Sequence, residues 1–438
     1  MARSGVENLS KTSELRRKLG WTFLLLIFYR IGVHVPIPGI DTGALAQYFK
    51  SMQGTLLGLL DMFSGGGLAN LSIFALGVMP YISASIIMQL LQVVSPDIKR
   101  MAKEEGQSGR KKITQYTRYL TVLITLVQGL ALSKVVMGMT SSDGSSFVLA
   151  PGAMFMFVTT ITLMAGTILI MWIGERITAK GIGNGISLII FAGIVAGIPT
   201  GIFRLFGMVS GGSMSILVAL LIVIFMVGVL VFIVFMERGQ RRIPIHYAKR
   251  QMGRKMVGGQ TTHLPLRVNT AGVIPPIFAS SLLMFPATLA QVSTADWLQG
   301  IAAWFNMGGV IYNIIFVALI VFFCFFYTAI IFDTKDISEN LKKQGGFIPG
   351  IRPGLKTQEY IDRVLTRITV WGAAYISAIC VLPQVLMTQF HIPFYFGGTS
   401  LLIVVGVSMD FMSQVESHMI SRQYEGLLGK TRIKGRNG

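Results

Sequence analysis

Residues 215–242 read SILVALLIVIFMVGVLVFIVFM and then, at once, ERGQRR. From Ser215 to Met236 no side chain is charged, and a helix of about 20 apolar residues is what crossing a bilayer requires. Glu237, Arg238, Arg241 and Arg242 then crowd into six positions. The same alternation of apolar run and basic stretch repeats along the chain. Of 38 Lys and Arg residues, all but Arg30, Lys50, Lys134 and Arg204 fall in the two tails and in every second loop between apolar runs. A soluble basic protein interleaves charge with hydrophobes. This chain keeps them apart, and basic loops mark the cytoplasmic side of a multi-spanning membrane protein.

The totals agree. Net charge is +19, the pI is about 10.1 and mean hydropathy is +0.64, with 52% of residues hydrophobic and 13% charged. A nucleic-acid binder can share the pI but needs a polar surface around its basic patch. Cys324 and Cys380 lie inside apolar runs and read as small buried hydrophobes. Residues 1–20 are basic, but the apolar stretch after them is span-length and lacks a small-residue cleavage site, so the first helix is expected to stay.

Ten runs qualify as spans, at about 21–36, 71–94, 119–137, 153–173, 183–203, 215–236, 270–290, 310–332, 368–388 and 399–413. Arg30, near the outer end of the first, is expected to snorkel to the interface. An even count with basic ends puts both termini in the cytoplasm. The outer loops then hold Asp41, Asp61, Asp143 and Asp296. The chain reads as a cytoplasmic tail (1–20), two halves (21–205 and 206–413) and a second cytoplasmic tail (414–438).

Two inside loops, 237–268 and 333–367, exceed what a turn needs. The first carries Arg238, Arg241, Arg242, Lys249, Arg250, Arg254, Lys255 and Arg267. The second carries Lys335, Lys342, Lys343, Arg352, Lys356, Arg363 and Arg367. Orientation needs only a few charges close to the spans. The surplus serves either anionic lipid or a docking cytosolic partner. Gly345-Gly346, Pro349-Gly350 and Pro353-Gly354 favour docking by setting a stiff, turn-rich loop. The run Gly54–Phe63 is too short to cross and is broken by Ser64-Gly65-Gly66-Gly67. It is either a re-entrant element or an interfacial loop.

No GxxxxGK[ST] loop is present, so ATP hydrolysis is not expected. Gly181-Ile182-Gly183-Asn184-Gly185 follows a charged loop rather than a strand, which makes it a flexible helix entry rather than a cofactor site. His34, His246, His263, His391 and His418 are dispersed, with His246 and His263 expected in solvent. Glu175, Glu237, Asp333 and Asp410 all lie near inside ends, so midplane carboxylates of the kind a coupled carrier uses are missing. That weighs against a small-solute secondary transporter, the alternative reading. No catalytic constellation appears, and no enzyme, metal or cofactor is expected. Ile82 with Ile86, and Ile186 with Ile190, share helix faces. Such pairs are usually packed or lipid-facing. Ser85, Gln89 and Gln92 form a polar stripe, and Asn269, Thr270, Ser280 and Ser281 add polarity around the seventh span. Polar stripes most often bond neighbouring helices.

At these residues the chain closely resembles the bacterial SecY family, which supplies the central channel subunit of the Sec protein translocase. The resemblance runs over nearly the whole length. It is carried by Ile37-Pro38-Gly39-Ile40-Asp41, Asp61-Met62-Phe63-Ser64-Gly65-Gly66, Met79–Ile86, Gly181–Ser187, Glu237–Arg242, Gly350-Ile351-Arg352-Pro353-Gly354 and Pro393–Ser400. It implies an all-α integral membrane protein of the bacterial plasma (inner) membrane, with ten helices in two pseudo-symmetric inverted halves around a central pore. It implies a conduit for unfolded preproteins that also releases transmembrane segments sideways into lipid.

The family's apolar pore ring carries over as Ile82, Ile86, Ile186, Ile190, Ile277 and Ile403. Its plug corresponds to residues near 58–72, with Leu60, Asp61, Met62, Phe63, Ser64, Gly65, Gly66, Gly67 and Leu68 at the centre. The second and seventh spans correspond to the lateral gate, for which Ser85, Gln89, Gln92, Ser280 and Ser281 are candidates. The basic loops correspond to the docking site of the translating ribosome, a polyanion that attracts Lys and Arg, and of the SecA motor. The candidates there are Arg238, Arg241, Arg242, Lys249, Arg250, Arg254, Lys255, Arg352 and Lys356, with Arg254 and Arg352 at the loop tips. The resemblance further implies SecE and SecG subunits, signal-bearing preproteins and membrane lipid as partners, and no cofactor.

Overall fold

The computed structural model describes residues 13–51, 61, 64–103, 106–139, 146–212, 214–247, 250–252, 255–257, 261–292, 309–390 and 397–430. The chain forms two compact units. One comprises Met1–Phe206, Met284–Ala303 and Gly406–Gly438, the other Gly207–Leu283 and Trp304–Val405.

The first unit contains α1 (Ser13–Val33), α2 (Thr42–Ser51), α3 (Met79–Val94), α4 (Pro96–Lys103), α5 (Gly106–Gly138), α6 (Ala153–Lys180) and most of α7 (Gly185–Ser210). Helices α5 and α6 pack through small side chains. Thr117, Thr121, Thr125, Gly129 and Ser133 are buried at four-residue intervals on α5. The three threonines return their hydroxyl protons to the carbonyls four residues back, at 2.7–2.9 Å. With its polar groups satisfied inside the helix, this ridge lets two backbones approach closely in an apolar medium.

The second unit contains α8 (Ile216–Arg238), four strands, the first half of α9 (Ile274–Val292), α10 (Val310–Ile331), α11 (Thr334–Lys343), a short β5 (Gly346–Phe347) and α12 (Leu355–Phe390). Helix α13 (Gly398–Lys430) begins in this unit and ends in the first. Helix α8 starts where the Ser215 hydroxyl accepts from Leu217 N–H and exposes Ile216, Leu217, Leu220, Leu221, Ile224 and Phe235. That apolar surface would be costly in water and is what a hydrocarbon environment demands.

All ten apolar runs lie wholly or partly on helices, but with different ends. The second helix starts at Met79 rather than near residue 71, because residues 64–78 fold as successive turns with Leu71 at φ 36°. The first helix carries its basic residues Arg16, Arg17 and Lys18 inside its first two turns. Seven helices among the described residues are long and apolar enough to cross a membrane, or eight if α3 and α4, bent by 105°, form one span. Helix α1 carries too many charges to count by that measure, and α9 is described with its side chains only over Ile274–Leu283.

The long loops are not coil. Strands β1 (Gln240–Tyr247) and β4 (Thr261–Arg267) pair antiparallel from Gln240↔Arg267 to His246↔Thr261. Strand β5 adds to the other edge of β1, with His246 opposite Phe347. Strands β2 (Arg250–Met252) and β3 (Lys255–Val257) form a separate hairpin. Among the described residues the fold is helical, with a three-stranded sheet and a two-stranded hairpin outside the apolar helices.

Gly166 on α6 shows how tightly the turn segment is seated: a Cβ there would collide with the Ile73 carbonyl. Because the obstacle is backbone, it cannot swing aside as a rotamer would. Gly166→Val should lower the melting temperature of the purified protein by several degrees, in line with roughly 1–3 kcal/mol for overpacking, as read by thermal unfolding in detergent.

Candidate functional site

The residues singled out in the sequence fall into three groups. The first is the glycine-rich turn. Leu60, Met62 and Phe63 lie outside the described residues, while Asp61 and Ser64–Leu68 are placed. The turn is knotted by its own short bonds. The Asp61 carboxylate accepts from Ala69 N–H at 2.7 Å, and its carbonyl accepts from Gly66 N–H at 2.8 Å and from the Ser64 hydroxyl at 2.9 Å. The Ser64 hydroxyl in turn accepts from Leu68 N–H at 3.1 Å. Helix α1 holds the knot from outside. Tyr29 donates its hydroxyl to the Ser64 carbonyl at 3.1 Å, and Arg30 donates Nη1 to the Gly65 carbonyl.

Arg30 therefore does not reach for the interface as its place in the run suggested. A backbone acceptor inside the fold is in reach, and taking it spares the guanidinium a trip to water. Tyr29 also stacks on Phe74, with ring centroids 5.8 Å apart. Beneath the knot lies an apolar core that includes Ile37, Leu45, Leu68, Leu71, Phe147 and Phe155.

The second group, the isoleucines and polar stripes, is divided between the two units. In the first unit Ile82, Ile86 and Ile190 are buried, and Ile186 packs against Gly174 of α6. In the second unit Ile277 and Ile403 are buried. On α3, Gln89 donates its amide to the Ser85 hydroxyl at 3.3 Å, while its Oε1 is buried without a partner. Gln92 is half-buried one turn further on. Ser280 and Ser281 are buried, and both donate back to the Ile277 carbonyl, at 2.9 and 2.8 Å. Their polarity is satisfied within α9, so they can meet an apolar neighbour at little cost.

The third group joins the two basic loops. Ile243, Ile245 and Leu266 from the sheet pack on Leu341 of α11, Ile348 after β5, and Ile361, Val364, Leu365 and Ile368 of α12. The sequence presented two loops, and the structure makes them one platform. Arg238, Arg241, Arg242, Arg352 and Lys356 are exposed on it. Arg250 and Lys255 are on β2 and β3, and Lys249 and Arg254 lie outside the described residues. His246, expected in solvent, is half-buried with its ring tilted by 31° at 6.1 Å from that of Phe347, whereas His263 is exposed.

Arg352 is displayed on a rigid turn. Gly350 and Gly354 flank it at φ 78° and 105°, Ile351 packs into the platform core, and the Arg352 carbonyl accepts from the Thr357 hydroxyl at 3.1 Å. Lys356 spends part of its charge on Glu359 at 2.9 Å. At the base of the platform the turn that follows β4 is tied to the end of α8, where the Asn269 amide donates to Glu237 Oε1 at 2.6 Å and to the Gly272 carbonyl at 3.1 Å.

Sequence reasoning missed the sheet, the Tyr29–Arg30 hold and the Glu237–Asn269 tie. The sheet had a signal: Ile243 and Ile245, then Leu264 and Leu266, alternate with polar residues or Pro at the period of a strand. The other two join residues 35 and 32 positions apart, with no local pattern to reveal them.

A family model for SecY matches residues 72–412. The "Protein translocase subunit SecY" of Pseudomonas aeruginosa is 54% identical over 427 residues, which cover 97% of this chain and 95% of that one. The chain belongs to the SecY family. The SecY subunit of Escherichia coli (strain K12) is 50% identical, with 96% of each chain covered. Among solved structures, a protein-conducting channel superposes with TM-score 0.67 at 18% identity, covering 97% of this chain and 96% of that one. A canine Sec61, in a ribosome–channel complex from the endoplasmic reticulum, superposes with TM-score 0.64 at 17% identity, with 97% and 96% covered. SecY is a family of protein translocation channels, which sets aside both the small-solute transporter and any enzyme. The chain is accordingly a multi-pass membrane protein.

Proposed function

We propose that this SecY chain conducts unfolded preproteins across the bacterial plasma membrane through an apolar constriction and releases transmembrane segments sideways into lipid. It crosses the membrane ten times, with both termini and the sheet platform in the cytoplasm. The single observation that carries this reading is 54% identity to a protein translocase subunit over 97% of the chain.

Ile82, Ile86, Ile186, Ile190, Ile277 and Ile403 form the constriction. A ring of aliphatic side chains closes around a chain of any sequence without binding it, and when empty it resists wetting. A ring of carboxylates or carbonyls would coordinate ions instead. Residues 58–72 act as a plug. One solved SecY neighbour, at TM-score 0.66 and 19% identity, has a plug domain that stabilises its closed state and maintains a membrane seal. The knotted turn of Asp61 and Ser64–Leu68 is a compact body suited to that role. Helices α3 and α9, with α5 and α10 around them, are the lateral gate.

The platform receives the ribosome or the SecA motor, and the chain works with SecE and SecG. Two solved neighbours, canine Sec61 and yeast Ssh1, are in ribosome-bound complexes. Exposed arginines on a stiff sheet are what a polyanionic partner requires. The chain itself is passive, and the partner's nucleotide hydrolysis, ribosomal elongation or the membrane potential supplies the drive.

Single cysteines at the six isoleucine positions should each crosslink to a stalled secretory chain, whereas cysteines on the lipid-exposed face of α8, such as Leu221→Cys, should not. Equal labelling of both sets, or none at the six positions, would overturn the assignment of the ring.

A further inference from the structure

The glycine-rich knot makes most of its bonds to itself, and two neighbouring side chains of one helix grip it. Tyr29 and Arg30 donate to the consecutive carbonyls of Ser64 and Gly65. Consecutive carbonyls do not ordinarily face the same helix. The left-handed turn at Gly65, φ 70°, brings them there. The site tolerates only glycine for a second reason: a Cβ at position 65 would lie 2.9 Å from Gly193 Cα on α7 and 3.1 Å from Arg30 Nη1. From the other side, a Cβ on Gly193 would lie 3.2 Å from Gly65 Cα. Two glycines thus set the knot against α7 without interlocking, while α1 supplies directional bonds. Asp61 closes the knot through Ala69 and Gly66, so these residues can shift as a body without losing their internal bonds.

We infer that Tyr29 and Arg30 are positioning residues that hold the glycine-rich knot in its resting place, and that breaking their two bonds is the step that frees it, while the 71–73 end stays paired with Val35 and Ile37. This inference rests on reading residues 58–72 as a plug. The hold acts through backbone acceptors, so it does not depend on which side chains the segment carries. A guanidinium donor makes a stronger bond than a neutral one, and more so away from water. Smooth glycine contact on α7 adds shape without a latch. Leu68 and Leu71 seat the segment in the apolar core below, and of the two side-chain bonds from α1 that of Arg30 matters more than that of Tyr29.

The test is the resting ion conductance of the purified channel, with its partner subunits, in planar bilayers. Arg30→Gln should raise the leak about tenfold and Tyr29→Phe about threefold, while Arg30→Lys, which keeps a charged donor, should stay near wild type. Deleting residues 60–70 should also raise the leak, and adding Arg30→Gln to that deletion should change nothing further. If the deletion leaves the leak at the wild-type level, the plug reading fails and takes the inference with it. If the deletion leaks while Arg30→Gln and Tyr29→Phe stay closed, the plug stands and the hold is overturned. A full Arg30→Gln effect on top of the deletion would place Arg30's action elsewhere and equally overturn it. Should Arg30→Gln fail to accumulate in membranes, Tyr29→Phe, which removes a single oxygen, decides the matter in the same assay.

Discussion

Arg352→Glu should cut SecA-driven and ribosome-coupled translocation by about tenfold or more, while the protein still inserts and retains its melting temperature. The side chain is exposed, so its removal costs no packing. Its backbone is fixed between Gly350 and Gly354 by the Ile351 anchor and the Thr357 bond, so the charge is presented at little entropic cost. Reversal both deletes an attraction and adds a repulsion. A loss of roughly 1.4 kcal/mol already amounts to tenfold in affinity. Arg254→Glu should act in the same direction. The contrast is Lys356→Glu, whose parent charge is shared with Glu359 and should matter less. The measurement is translocation of a secretory preprotein into inverted membrane vesicles at fixed protein level, together with the salt dependence of ribosome binding, which should flatten. Unaltered transport in both arginine mutants would sink the docking assignment.

Ile82→Gly combined with Ile190→Gly should raise the resting ion conductance by about an order of magnitude. Both residues are buried in the first unit, at 6% and 3% exposure, and each replacement removes a whole aliphatic side chain from the proposed constriction. Apolar narrowing excludes ions because water does not fill it, and widening by two side chains lets water in. Glycine in a helix interior also costs about 1 kcal/mol relative to alanine. Ile82→Ala with Ile190→Ala therefore serves as the companion, expected to leak less than the glycine pair but above wild type. Single-channel recording in bilayers checks both, with membrane accumulation as the control. A glycine pair that conducts no more than wild type would count against the ring.

The membrane architecture could be read from the chain because hydropathy is a local property. Runs such as Ser215–Met236 need no distant residue to be recognised, and the basic stretches beside them are equally local. The glycines at 65–67 announced a break in the same way. Helix ends were less legible. Whether residues 71–78 continue α3 or turn depends on what lies across from them, and Gly166 opposite Ile73 is not visible from either segment alone. The family resemblance supplied roles for the isoleucines that spacing cannot give, because an isoleucine pair in a lipid-facing helix has the same pattern.

What the sequence determined by itself, then, is the apolar helices, their basic flanks and the glycine-rich interruption. All three are functions of composition over a window shorter than a span. Only the tertiary structure decided that the loops around Arg242 and Arg352 are one platform, because β5 reaches β1 from about 100 residues away. It alone decided that Arg30 turns inward to Gly65 rather than outward to the interface. A charged side chain takes whichever partner offsets its desolvation, and that partner is fixed by packing rather than by the neighbouring residues.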